Sequence, residues 1–200
     1  FSQTVYSSSI LEGQRMHPVQ GKEGMVVTSH FLATQSAREV LQKGGYAIDA
    51  AVTAAFSLAV TQPRSGNIGG GGFMLISSEQ KDEDVAIDYR EKAPGRATVD
   101  MFLDKDGNAD SSLSRFSHLA AGVPGTVAGL VMALEKYGTI SLKEAMAPAI
   151  KLAEDGFIVT PRFSNGLKKR EKRLNKWASS KKIFYKADGS YYEPGDLFVQ

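Results

Sequence analysis

Four consecutive glycines, Gly69 to Gly72, separate an alanine-rich stretch from the apolar run Phe73-Met74-Leu75-Ile76. With Gly66 they dominate the segment Ser65 to Phe73. Regular structure does not pass through such a segment, because ordering a glycine costs more backbone entropy than ordering any other residue. The chain must break there, after a helix and before a strand. The spacing is neither GxGxxG nor a Walker A pattern, and no Lys-Ser/Thr pair follows. The helix-then-strand order is also the reverse of a dinucleotide-binding turn. The run therefore reads as backbone that approaches another segment closely, takes positive φ, or walls a site.

Elements on either side follow from periodicity and punctuation. Residues 1–24 read as a flexible, irregular lead-in. Met25-Val26-Val27-Thr28-Ser29 has the β-branched character of a short strand. A helix is expected from about Ala33 to Lys43, with Gly44-Gly45 as its stop. A second runs from about Ile48 to Val60, with Asp49 in its first turn where the helix dipole favours an acid. Its alanines (Ala50, Ala51, Ala54, Ala55, Ala59) suit close packing against another element. Phe73–Ile76 and Val85–Tyr89, joined by the polar turn Gln80–Asp84, predict a hairpin. Residues 109–117 read as a serine-rich loop. A third helix is expected over Thr126–Tyr137, between Gly125 and Gly138. Ser141 and Glu144 form a capping box for a fourth, which runs to about Asp155 and carries Pro148 as a potential kink. Thr160-Pro161 opens a basic helix through about Trp177. The result is a mixed α/β (α+β) chain with no internal repeat and no linker.

Composition narrows the chemistry. Apolar residues are 42%, charged residues 23% and the net charge is +2, so whole-chain disorder is excluded. There is no cysteine, which removes disulfides, thiolate catalysis and Cys-bound metals from this chain. His17, His30 and His118 are too scattered for a metal-binding helix, and no metal or cofactor is expected. The most apolar stretch, Ala50–Val60, is about half a membrane span. Phe1 is not an initiator Met, and FSQTVYSSSI lacks the charged start and apolar block of a signal peptide. A mature periplasmic or secreted chain would begin this way, as would a trimmed one; the expectation is a periplasmic or secreted protein.

The charge is segregated. Residues 161–186 hold ten Lys and Arg against the single acid Glu171, which raises a polyanion, nucleic-acid or anionic-surface module as one reading. A solvated helix face is the simpler reading, and nucleic acid is not expected as a partner. His30 and His118 belong to no recognisable catalytic motif and read as structural or solvated. Gly122-Val123-Pro124-Gly125 reads as punctuation before a helix. Arg90 ends a predicted strand, where a planar guanidinium suits bidentate capture of a carboxylate. An internal pair with Glu91 or Asp88 is the competing reading.

Five blocks together resemble the γ-glutamyltransferase (γ-glutamyl transpeptidase) family: Gly44–Val52, Gly66–Met74, Asp88–Pro94, Ala121–Gly129 and Pro148–Gly156. They lie in the family's order and spacing over residues 25–200. The resemblance implies an N-terminal-nucleophile hydrolase fold, a four-layer αββα sandwich of which this chain is an incomplete part, the front of the large subunit. It implies a precursor that cuts itself in two, and a nucleophilic threonine at the start of the small subunit, whose α-amino group can act as base. The implied reaction moves a γ-glutamyl group from glutathione or a related donor to water, an amino acid or a short peptide. No catalytic residue is then expected in this chain, and the small subunit is its expected partner. Thr126 and Thr160 are internal and do not qualify as the nucleophile.

One functional residue carries over from the resemblance. Arg90 matches the arginine that holds the α-carboxylate of the γ-glutamyl group, which reverses the internal-pair reading. Arg64 is a departure, since the family often has a small or uncharged residue there. The family also includes acylases that hydrolyse glutaryl-type amides and enzymes acting on poly-γ-glutamate, so a related amide acylase is the alternative within the family.

Overall fold

A computed structural model describes residues 21–79 and 82–200. Most of the predicted lead-in, and Gln80 and Lys81 of the predicted turn, lie outside the described residues.

The organising element is a buried helix. Helix α1 (Phe31–Gln42) and helix α2 (Ala47–Thr61) are joined by the Lys43-Gly44-Gly45 stop. They approach closely because the facing residues are small: Ala37 of α1 is buried with Ala50 and Ala54 of α2. The opposite side of α2 carries Val52 and Phe56 into the main core, which also holds Leu130, Ala133 and Leu134 of α4 (Thr126–Tyr137) and Ala145 and Ala149 of α5 (Leu142–Glu154). The predicted limits of α4 hold, and α5 begins at the Ser141–Glu144 capping box and continues through Pro148.

The hairpin forms as expected. Strand β1 (Phe73–Ser78) pairs antiparallel with β2 (Glu83–Asp88), with Met74 opposite Ile87 and Ile76 opposite Val85. Those four side chains face the core. The period-2 pleat then turns Phe73, Leu75 and Ala86 to the other face, where Phe73 and Leu75 are 62% and 83% exposed.

Three expectations are corrected. Met25–Ser29 forms no strand: Val26 packs beside α1 and α2, but no neighbouring strand among the described residues offers an edge to complete a ladder. The serine-rich loop contains a short helix, α3 (Ser111–Phe116), nucleated by Asp110, whose Oδ1 accepts from the backbone N–H groups of Ser112 and Leu113 at 2.6 and 3.2 Å. The long basic helix is broken into α6 (Pro161–Lys168), α7 (Glu171–Leu174) and α8 (Ala178–Phe184). A continuous helix would stack like charges at i,i+4 and include Asn175, a poor helix former. Arg170 instead leaves helical geometry and donates from Nη1 to the Gly166 carbonyl at 3.0 Å, satisfying a terminal acceptor of α6.

The carboxyl-terminal third closes on a small aromatic core. Strand β3 (Phe157–Ile158) pairs antiparallel with β4 (Leu197–Phe198). Phe198 is fully buried, with Phe163 and Tyr192 at ring distances of 5.0 and 4.9 Å. The described residues thus contain two two-stranded sheets and not the stacked pair of a complete sandwich.

Candidate functional site

The segment Tyr89–Lys92, just beyond β2, is held between the glycine run and the block that starts α4. Tyr89 and Gly72 exchange backbone hydrogen bonds at 3.0 and 3.4 Å, extending the hairpin by one pair. On its other side, Lys92 and Val123 exchange bonds at 3.2 and 2.8 Å. The two flanking segments also tie to each other. The backbone N–H groups of Gly125 and Thr126 both donate to the Gly70 carbonyl, at 2.8 and 3.0 Å. Asn67 Oδ1 accepts from the Gly70 N–H at 2.8 Å and from Thr126 Oγ1 at 2.7 Å.

This geometry explains Gly71 and Gly125. A Cβ on Gly71 would lie 2.6 Å from the Tyr89 carbonyl oxygen and 2.8 Å from Arg90 Cα; one on Gly125 would lie 2.1 Å from the same oxygen. Within the run, Gly71 is the close-approach position to the backbone of Tyr89 and Arg90, Gly72 lies against the Tyr89 ring, Gly70 against the Asn67 side chain, and Gly69 meets nothing within 4 Å. Gly125→Ala is therefore expected to destabilise the protein by about 1–3 kcal/mol, since the obstructing atom is backbone and cannot turn aside. Gly95→Ala, where a Cβ meets nothing within 4 Å, should be close to neutral. Urea unfolding of the two variants checks this, and equal stabilities would contradict it.

Arg90 itself is well anchored at its backbone and open at its tip. Its N–H donates to Asp88 Oδ1 at 2.9 Å, and its guanidinium lies 5.8 Å from the centre of the Phe73 ring. Nε donates to Glu91 Oε2 at 3.0 Å. The internal pair weighed from sequence is thus present. Glu91 is held below the usual carboxylate range, first by its own backbone N–H and then by Arg90. The Arg90 side chain is nevertheless 60% exposed. Among the described residues its two terminal nitrogens make no hydrogen bond, which leaves the fork free for a planar anion.

The other candidates take structural parts. Thr126 spends its hydroxyl on Asn67. Thr160 caps α6, accepting from the Phe163 N–H at 3.2 Å. His30 caps α1 through Nδ1, and His118 sits edge-on to Trp177 at 5.1 Å. Arg64 is not among the contacts of Arg90; it borders a cavity beside α6 with Arg162 and Arg170. Among the described residues no cluster of three His, Cys, Asp or Glu could hold a metal, and no helix is long and apolar enough to cross a membrane.

Asp49 was legible from sequence only as a first-turn acid. Its carboxylate is fully buried and accepts four hydrogen bonds: from Thr139 N and Ile140 N on Oδ1 at 2.7 and 3.3 Å, and from Thr139 Oγ1 and Tyr46 N on Oδ2 at 2.7 and 2.8 Å. It pins the turn between α4 and α5 to the start of α2. No local sequence signal could show bonds across some ninety residues.

The chain is similar to known proteins over most of its length. The gamma-glutamyltranspeptidase family model matches residues 33–200. The glutathione hydrolase proenzyme of Escherichia coli is 50% identical over 191 residues, covering 95% of this chain and 33% of that protein. An acylase ACY 1 proenzyme of a Pseudomonas species is 42% identical over 154 residues, covering 74% of this chain and 27% of its own. The crystal structure of Helicobacter pylori gamma-glutamyltranspeptidase superposes with a TM-score of 0.88 at 51% identity, covering 92% of this chain and 52% of that one. The chain thus spans about a third of the curated relatives' length. Its mixed α/β structure matches part of the N-terminal-nucleophile hydrolase fold. The chain belongs to the gamma-glutamyltranspeptidase family.

Proposed function

We propose that the protein containing this chain transfers the γ-glutamyl group of glutathione or a related donor to water, an amino acid or a short peptide, and that Arg90 holds the donor's α-carboxylate. The observation that carries the reading is the exposed, partly unsatisfied guanidinium on a backbone clamped from both sides by glycines. A positioned arginine fork recognises a carboxylate with two parallel N–H···O bonds and fixes its orientation as well as its charge. The bond-breaking group is proposed to be a threonine at the start of a small subunit outside this chain, forming an acyl-enzyme that the acceptor resolves. Phe73 and Leu75, exposed on the outer face of the hairpin beside Arg90, support a partner packing there. A periplasmic or secreted location belongs to the same proposal and is tested by cell fractionation.

The 200-residue chain alone is expected neither to hydrolyse a γ-glutamyl anilide nor to form a covalent acyl adduct. Its two best-placed threonines, Thr126 and Thr160, are internal and engaged in structural hydrogen bonds. Release of aniline by the purified chain, or a mass increase matching a γ-glutamyl adduct, would contradict this.

The acylase relative favours a second reading, hydrolysis of a glutaryl-type amide. A glutaryl donor lacks the α-amino group, so rates on γ-glutamyl and glutaryl anilides with the complete, processed protein separate the two. For the polyanion reading, the basic segment is three short helices and not one continuous helix, and Lys168 is paired with Glu193 at 2.6 Å. Binding to nucleic acid is expected to be weak and independent of sequence; tight binding to one sequence at raised salt would revive that reading.

A further inference from the structure

Two adjoining hollows open where the connection after α2 faces α6 and α7. The inner one, about 230 Å³, has an apolar floor of Phe163, Leu167, Leu174 and Phe184. The outer one is lined by seven Lys and Arg, with Glu171 as its only acid. Arg64, Arg162 and Arg170 border both. Of these three, Arg170 gives Nη1 to the Gly166 carbonyl. Arg64 and Arg162 have no ion pair among the described residues, although they come from segments far apart in sequence. Converging like charges around a low-dielectric floor is unfavourable without an anion between them.

His30 supplies an independent observation. Its Nδ1 accepts from the Leu32 N–H, so in the neutral ring the proton resides on Nε2, which is then a donor. That nitrogen is buried and has no hydrogen-bond partner among the described residues, while His30 itself lines the inner cavity. Burial, and then the nearby Arg162, push His30 below its ordinary pKa and keep it neutral. A neutral donor and two free guanidinium groups all seek the same kind of oxygen. The floor beyond them offers only carbon, and about 150 Å³ suffices for a single aromatic ring.

We propose that this cleft binds a small organic monoanion, a carboxylate carried on one aromatic ring or a short acyl body, with the carboxylate between Arg64 and Arg162 and the apolar body over Phe163 and Phe184. The unpaired His30 donor gains an acceptor in the same event. Inorganic phosphate can satisfy the cations but not the floor, and a neutral amide can satisfy the floor but not the cations.

The experiment is calorimetric titration of the complete, processed protein with phenylacetate, phenylacetamide and inorganic phosphate. Phenylacetate should bind at least about tenfold more tightly than either of the others. Arg162→Gln and Arg64→Gln should each weaken it by roughly tenfold, and Phe184→Ala should weaken it as well. The Arg90→Ala protein should bind it unchanged, which keeps carboxylate capture at Arg90 from being mistaken for this site. Four results would overturn the proposal: no heat with phenylacetate at millimolar concentration, equal binding of the amide, equal binding of phosphate, or loss of binding in Arg90→Ala with none in Arg162→Gln.

Discussion

In the complete, processed enzyme, Arg90→Ala is expected to lower kcat/KM for a γ-glutamyl donor by about thirty- to several-thousand-fold. That range corresponds to about 2–5 kcal/mol, the scale for removing one side of a desolvated charge pair at roughly 1.4 kcal/mol per decade. The reason lies in the donor. Its α-carboxylate must leave water to enter the pocket and then has no charged partner. Arg90→Lys keeps the charge and loses the planar fork, so an intermediate loss is expected. Self-cleavage should persist in both variants, since the precursor's scissile bond does not present a substrate carboxylate. Donor kinetics beside a gel for the two subunits check both halves, and near-normal kinetics in a correctly processed Arg90→Ala enzyme would remove Arg90 from the site.

Asp49→Ala should have the largest effect on stability, a loss of about 2–4 kcal/mol, because it orphans backbone donors at Tyr46, Thr139 and Ile140 together. The carboxylate also carries a pH signature. Burial pushes its pKa up, but the hydrogen bonds from Thr139, Tyr46 and Ile140 outweigh burial and hold the folded value below the ordinary one. The folded state then releases this proton more readily than the unfolded chain, whose aspartate titrates near pKa ~3.9. The contribution is fully present above that value and is lost as the pH falls through the lower folded pKa. Unfolding midpoints measured from neutral to acid pH should show Asp49→Asn destabilised at neutrality, with the gap to the parent narrowing in acid. A gap that stays constant with pH would show that Asp49 does not act through its charge.

What could be read from residues alone was mostly local. The ends of α4 follow from Gly125 and Gly138, the start of α5 from the Ser141–Glu144 box, and the hairpin from two apolar runs around a polar turn. The misreadings share a different cause. Met25–Ser29 has strand composition, yet a strand exists only if an edge is available to it. The basic segment has helical spacing, but repulsion within it and the Arg170 bond to Gly166 divide it. The β3–β4 pair joins Ile158 to Leu197 and is two residues long, too short for any periodicity to show.

The site was legible in parts. The glycine run reads from sequence as close approach, positive φ or a site wall, and the choice among them depends on Gly70 meeting Gly125 and Thr126 across the fold. Arg90 stands out by its place after a strand, while the role proposed for it comes from the family resemblance. Its side chain borders solvent here, so residue spacing within this chain could not choose between an ion pair with Glu91 and a ligand. Sequence marks Arg64 as a departure and 161–186 as basic, but not the cleft they form, because its two free cations lie in different blocks and its apolar floor is spread over three short helices.

The most direct test of the account varies the substrate and the protein together. Anilides of γ-glutamate and of 4-aminobutyrate differ only in the α-carboxylate, so comparing both donors on the parent and Arg90→Ala enzymes forms a double cycle that isolates the interaction between that carboxylate and residue 90. The account predicts a strong preference of the parent for the γ-glutamyl donor and its near disappearance in Arg90→Ala, through loss of activity on the carboxylated donor alone. A preference that survives unchanged in the variant would contradict the assignment of Arg90 to the substrate carboxylate.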